Sequence, residues 1–268
     1  MLKHIIFILF SVFTANVFAQ SAHTEYNLGL GKFNEKDFNG AMLHFNKALT
    51  IDSSFADGYS IRATTKTYLR DLKGAIDDYS RALSINKNAE NYFNRGHLKY
   101  QFKDYKGAIA DYTEAIKLDA NNALLFYTRG LTYQLLKNTE ATLADMNSAI
   151  SLNKNYKEAY FISANCKRDL GDRNGAIADY SSSIKLDANF ENAYFNRGVL
   201  FGLNKNHESA IKDFKSVNAI NPKNAKAYYN SGMAYVQLNQ QSAACAQFRL
   251  AVSNGFKEAK PLADKYCK

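Results

Sequence analysis

The residues of this 268-residue chain that could do chemistry are few, and they do not converge. Its five histidines, His4, His23, His44, His97 and His207, include no two at metal-ligand spacing on one expected helix or within a motif. That argues against a zinc or iron site. There is no glycine-rich phosphate loop, no nucleophile elbow and no HExxH stretch. Adjacent carboxylates such as Asp77-Asp78 fall where solvated helix charge is the ordinary reading. No nucleophile, base and orienting group can be named together, so the chain reads as a non-enzyme with no cofactor. The chemistry it does offer is pairing. Arg62, Arg95, Arg129 and Arg197 are each followed sixteen residues on by an aspartate, Asp78, Asp111, Asp145 and Asp213. A planar guanidinium can hold a carboxylate bidentately, so each arginine is expected to pair with that aspartate across two helices as a structural ion pair.

That spacing is fixed by a larger regularity. Gly96 has counterparts at Gly29, Ala63, Gly130, Ala164, Gly198 and Gly232, in steps of 34, 33, 34, 34, 34 and 34 residues. A constant period of this length marks stacked supersecondary units. Within each unit, numbered so that Gly96 is position 8, position 20 holds Ala41, Ala75, Ala108, Thr142, Ala176, Ala210 and Ala244. Position 24 holds Phe45, Tyr79, Tyr112, Met146, Tyr180, Phe214 and Phe248, and position 27 is small in most units. Positions 20, 24 and 27 follow helical spacing, as do 4, 8 and 11, so each unit is two helices. A Gly costs about 1 kcal/mol relative to Ala inside a helix. Its recurrence at position 8 therefore implies close approach of the facing helix.

Small residues at 8, 20 and 27 with a large one at 24 resemble the tetratricopeptide repeat, over about Ala22 to Glu258. The departures are a missing Trp at position 4, Thr142 and Met146 in the fourth unit, and a helix-ending Pro at position 32 only as Pro222. The resemblance implies an all-α fold, a right-handed α-solenoid of seven helix-turn-helix repeats near 22–55, 56–88, 89–122, 123–156, 157–190, 191–224 and 225–258. A capping helix at about 257–267 follows, where Ala259, Leu262, Ala263 and Tyr266 share a face. Gly255 is expected to end the last repeat helix, and Pro261 confines the cap's start to Lys257 or Glu258.

Before the repeats, Lys3 precedes Ile5-Ile6-Phe7-Ile8-Leu9-Phe10, and the stretch ends Val17-Phe18-Ala19. Residues 1–19 thus read as a signal peptide cut before Gln20, with residues 20–268 as one repeat domain. The apolar run is too short for a span, so export to the periplasm or the medium is expected, with no stable membrane insertion after cleavage. The net charge of +9 comes from 34 basic and 25 acidic residues. They alternate along the chain, which favours solvated helix faces over a nucleic-acid surface.

In this family the first helices line a concave face. The resemblance therefore implies a binding groove made of position 5, namely Tyr26, Ser60, Phe93, Tyr127, Phe161, Phe195 and Tyr229, together with position 9, including His97, Leu131 and Asn165. A ladder of rings suits an extended peptide or a partner helix. The same rings could equally serve packing alone. A clamp for a C-terminal carboxylate is not supported, because only Asn165 matches its pattern. The expected function is a non-catalytic scaffold for a protein or peptide partner; the alternative is an accessory protein binding a glycan or acidic polymer. Finally, Cys245 occupies a normally apolar position facing the next element, here the cap that ends in Cys267. In an oxidising compartment the two would form a disulfide, the alternative being two reduced cysteines in the packed cap. Cys166 reads as a small packed residue.

Overall fold

A computed structural model describes residues 20–268. The expected signal segment lies outside the described residues. Among those described there is no strand, and the elements in chain order are helices. They are α1 (20–34), α2 (Phe38–Ile51), α3 (Ala56–Tyr68), α4 (Leu72–Ile85), α5 (Ala89–Gln101), α6 (Tyr105–Leu118), α7 (Ala123–Leu135) and α8 (Thr139–Leu152). There follow α9 (Lys157–Asp169), α10 (Arg173–Leu186), α11 (Glu191–Leu203), α12 (His207–Ile220), α13 (Ala225–Gln237), α14 (Gln241–Ser253) and α15 (Lys260–Tyr266). The described residues form two compact units, which divide between Thr132 and Tyr133. In the first, α3 packs on α4 and α5 on α6; in the second, α9 packs on α10, α11 on α12 and α13 on α14. Each is an α-solenoid of stacked helix pairs.

The turn inside each pair is made by one residue. At the end of α5, Lys103 N–H donates to Tyr100 O at 2.9 Å and Asp104 N–H to Lys99 O at 2.9 Å, while Lys103 takes a φ of 63°. This is the Schellman arrangement, which consumes two orphan carbonyls and normally places glycine in the left-handed position. The next residue already caps the following helix: Asp104 Oδ1 accepts from Gly107 N–H at 2.9 Å. Asp37, Asp71, Asn138, Asp172 and Asn206 repeat that cap. A carboxylate at a helix start satisfies a free amide and faces the positive end of the dipole.

Between helices the position-24 rings are fully or nearly fully buried, and the position-20 residues are at zero exposure throughout. Thr142 is tolerated there because its hydroxyl donates to Asn138 O at 2.8 Å. The small residue at position 8 faces the ring, and its size follows what holds that ring. A Cβ on Gly29 would lie 2.5 Å from Phe45 Cε1, and one on Gly232 would lie 2.6 Å from Phe248 Cε1. Ala63 and Ala164 occur instead where the ring is a tethered tyrosine: the Tyr79 hydroxyl bonds to Thr64 Oγ1 at 2.9 Å, and the Tyr180 hydroxyl donates to Asn165 Oδ1 at 2.6 Å.

At the C-terminal end, Gly255 has a φ of 93°, and Phe256 N–H donates to Ala251 O at 3.0 Å. Ala259 and Ala263 are buried against Ala244, Phe248 and Ala251, with Leu262 and Tyr266 packed beside them. The cap's α-helix starts later than the sequence suggests. Lys257–Ala259 is a 3-10 turn, and α15 begins at Lys260 with Pro261 in its first turn. Proline has no N–H to give an earlier α-turn, so the tighter turn precedes it.

Candidate functional site

In the first unit, Tyr26 and Phe93 are half-buried, and each stands on a position-24 ring: Tyr26 lies 6.0 Å from Phe45, and Phe93 lies 5.8 Å from Tyr112. Tyr26 also tilts onto Phe55 at 5.0 Å. Tyr127 and Leu131 on α7 are half-buried as well. His97 is exposed, parallel to Tyr100 at 6.4 Å and beside Phe93 at 6.4 Å. It lines a cavity of about 520 Å³ with Thr64, Tyr68, Arg70, Tyr79, Glu90 and Asn94, among others. This stretch of the face is polar and of mixed charge.

In the same repeat as His97, the buried Tyr112 hydroxyl has no hydrogen-bond partner among the described residues. Burial pushes its pKa up, so it stays protonated. Position 9 holds the tether in two other units, Thr64 and Asn165; here it is a histidine turned outward. Consistently, Gly96 rather than Ala faces this untethered ring, whose Cε1 is 2.9 Å from where a Cβ would stand.

In the second unit, Phe161 packs on Tyr180 at 5.7 Å and on Phe190 at 4.8 Å. Phe195 packs on Phe214 at 5.8 Å, and Tyr229 on Phe248 at 6.1 Å and Phe256 at 5.0 Å. Asn165 is spent internally, because its Oδ1 accepts from both Tyr180 and Asn196. Between α11 and α13 lies a cavity of about 680 Å³ lined chiefly by Val199, Leu203, Phe214, Tyr229, Met233 and Ala234. Gly202, with nothing within 4 Å of its missing Cβ, keeps it open. Tyr26, Phe93, Phe161, Phe195 and Tyr229 thus each have one edge in the core. What remains accessible is a half-ring beside an exposed position-9 side chain, such as Met233 or His97.

The arginines point elsewhere. Arg62, Arg95 and Arg197 each donate through Nε and Nη2 to both oxygens of Asp78, Asp111 and Asp213, at 2.6–2.9 Å. Each guanidinium lies near the position-4 ring of its own helix, Tyr59, Tyr92 or Tyr194. The fourth expected pair, Arg129 with Asp145, has one member in each unit and stays an expectation. Two partners went unseen in the sequence. Each arginine Nη1, Arg129 included, donates to position 25 of the preceding repeat, namely Asn46, Ser80, Thr113 or Ser181. The head therefore ties two repeats together. Lysine at position 11 supplies a second cation, Lys66 Nζ at 2.8 Å from Asp78 and Lys99 Nζ at 2.8 Å from Asp111. This explains the fifth repeat, where Ser163 replaces Arg: Lys167 pairs with Asp179 at 2.6 Å and Ser163 donates to it. The signal was the lysine spacing. In the first repeat, which lacks both partners, His44 Nδ1 meets Glu25 Oε2 at 2.7 Å.

Cys245 and Cys267 form a disulfide with Cα atoms 5.0 Å apart. Cys166 is a free, buried cysteine, and burial pushes its thiol up to about 11.

The sequence matches the family described as TPR repeat at residues 96–137 and 164–205, and that described as tetratricopeptide repeat at 191–224 and 225–254. Tetratricopeptide repeat protein 36 of Danio rerio is 36% identical over 58 residues, which are 22% of this chain and 31% of that protein. Among solved structures, YrrB, described as a TPR protein with an unusual peptide-binding site, superposes with a TM-score of 0.62 at 25% identity, covering 68% of this chain and 95% of that one. MamA superposes with a TM-score of 0.60 at 25% identity, covering 64% and 94%. The C-terminal part of a TPR repeat-containing protein from Cytophaga hutchinsonii gives 0.72 at 14% identity, covering 88% and 98%, a likeness of fold alone.

Proposed function

The chain is a tetratricopeptide repeat protein, and we propose that it is an exported, non-catalytic scaffold that holds a protein or peptide partner against its first-helix faces. Proteins built of such repeats serve in general as protein-protein interaction scaffolds. The observation that carries the finer reading is the half-buried ring at position 5. Phe195 and Tyr229 are anchored from below by Phe214 and Phe248, so their remaining surface is rigid and costs little entropy to cover. Beside them, Val199, Leu203 and Met233 offer an apolar recess for a partner's apolar side chain. The cavity around His97, with Arg70 and Glu90 on its walls, suits a polar segment. YrrB's peptide-binding site, on a related solenoid, lends support to a peptide as the partner class.

Export rests on residues 1–19, whose basic start and short apolar core fit a cleaved leader. Two experiments test these readings separately. A photo-crosslinking residue placed at His97 or Met233 should capture the same partner in the native cell, whereas one at Lys212, exposed on a second helix, should not. Equal capture from Lys212 would refute the groove. N-terminal mass mapping should find Gln20 first, and intact Met1 as the dominant species would refute export.

A further inference from the structure

The edge formed by the turns within helix pairs carries a feature that groove binding does not account for, although Tyr68 and Arg70 at its second turn also line the cavity around His97. In the first unit the left-handed turn residues are Lys36, Arg70 and Lys103, with φ of 62°, 65° and 63°. Long side chains hold a conformation that glycine adopts without strain. All three are exposed, as are Lys73 and Lys106 just beyond the second and third turns, and none of the five forms an ion pair among the described residues. Of the nearby acids, Asp37, Asp71 and Asp104 are engaged as helix caps, each accepting a backbone N–H, and Glu35 pairs with Lys32 at 2.9 Å.

Beside these cations stand uncovered apolar side chains. Tyr68 is 59% exposed, Leu69 38% and Phe102 46%. Phe38 stacks on Tyr68 at 4.7 Å and 8°, and Phe33 meets both edge-on, so rings of the first and second turns form one platform. Tyr100 and Tyr105 make the corresponding edge-on pair at the third turn, 5.6 Å apart. The second unit's turns differ. There the left-handed residues are Lys137, Gly171, Lys205 and Asn239, and Glu140 and Glu208 offset its two lysines.

We propose that this turn edge of the first unit docks on the surface of an anionic bilayer. Basic heads on long apolar stems, interleaved with Tyr, Phe and Leu, match the interface, where phosphate charge overlies hydrocarbon. An acidic protein groove would satisfy the cations, but it gives no reason for rings and leucine at successive turn tips, which a yielding hydrocarbon boundary accommodates together. No described helix is long and apolar enough to cross a membrane, so the contact is adsorption.

The test is co-sedimentation of the full chain with vesicles of phosphatidylcholine alone and with vesicles also containing phosphatidylserine. The readout is the ratio of the two partition coefficients, because residues 1–19 are common to all variants. The wild type should prefer anionic vesicles by roughly tenfold or more, and lose that preference near 1 M salt. Arg70→Glu with Lys103→Glu should bring the ratio to about one, and Phe102→Ser should lower binding to anionic vesicles at unchanged helicity. Lys137→Glu with Lys205→Glu, at the same repeat positions in the second unit, should leave the ratio in place. A wild-type ratio near one, an unchanged ratio in Arg70→Glu with Lys103→Glu, or an equal loss in the second-unit variant would each overturn the proposal. So would binding of the wild type to soluble polyglutamate but not to vesicles, which would assign the edge to an acidic protein.

Discussion

A buried aspartate needs its cations more than the cations need it, and this chain has run that comparison within itself. Asp111 is held by Arg95 and by Lys99, whereas among the described residues Asp213 pairs with Arg197 alone, because position 11 of its repeat is Phe201. The other ties of the two arginines are shared but for one: each also donates to a serine, Ser80 or Ser181, and lies by a tyrosine ring, while Arg197 lies by the Phe201 ring as well. Arg197→Ala should therefore cost about 3–5 kcal/mol by leaving a carboxylate buried and unpaired. Arg95→Ala should cost less, roughly 1–3 kcal/mol, since Lys99 remains. Hydrogen exchange of α11 and α12 amides in one variant and of α5 and α6 amides in the other reads these losses locally. Equal losses would mean that the lysine contributes nothing. The pairing of Arg with its own Asp could be read in the sequence because both follow the period. Their third partner could not, since Asn46, Ser80, Thr113 and Ser181 share only a short polar side chain, a pattern too common to stand out.

At the level of the helix pair, contact distance is set by position 8, and glycines of opposite consequence both sit within helices. Gly232→Ala would place a methyl 2.6 Å from Phe248, a ring with zero exposure and no room to retreat. The cost should be roughly 1–3 kcal/mol. Gly31, on α1, meets nothing within 4 Å, so Gly31→Ala should stabilise by up to about 1 kcal/mol through helix propensity alone. Thermal denaturation of the two variants should move in opposite directions, and a shared sign would refute the close-approach account. Helix identity and pairing were legible for this reason: close approach leaves a small residue every repeat, and periodicity exposes it. The turns were less so. Glycine is the familiar sign of a left-handed residue, and Gly255 shows it at the end of the last repeat, but within the helix pairs described only Gly171 does; Lys36, Arg70, Lys103, Lys137, Lys205 and Asn239 fill the same role. The candidate groove was legible as a set of positions, not as surfaces. How much of Tyr229 remains open depends on Phe256, a contact no local spacing announces.

For the whole molecule the question is what closes an open stack. A solenoid end exposes the apolar face that the next repeat would cover. At the C-terminus, Ala244, Phe248 and Ala251 are covered by a cap whose α-helix has only 7 residues, too short to persist on its own. Its apolar contacts run through Ala259, Ala263, Leu262 and Tyr266, and the two of these that are buried are alanines. Covalent closure therefore matters more here than elsewhere in the chain. The Cys245–Cys267 bond, at a separation of 22 residues, should contribute about 3 kcal/mol to holding the cap in place. Reduction should leave the interior repeats folded, because each contacts only its neighbours, while the last pair loses protection first. Hydrogen exchange with and without reductant distinguishes this from a general effect. Faster exchange confined to α13, α14 and α15 is the expected result. Uniform loss of protection would show that the bond stabilises the whole chain, and no change would show that packing alone holds the cap. A Cys245→Ala, Cys267→Ala variant should behave as the reduced protein does, which separates the lost bond from any action of the reductant on buried Cys166.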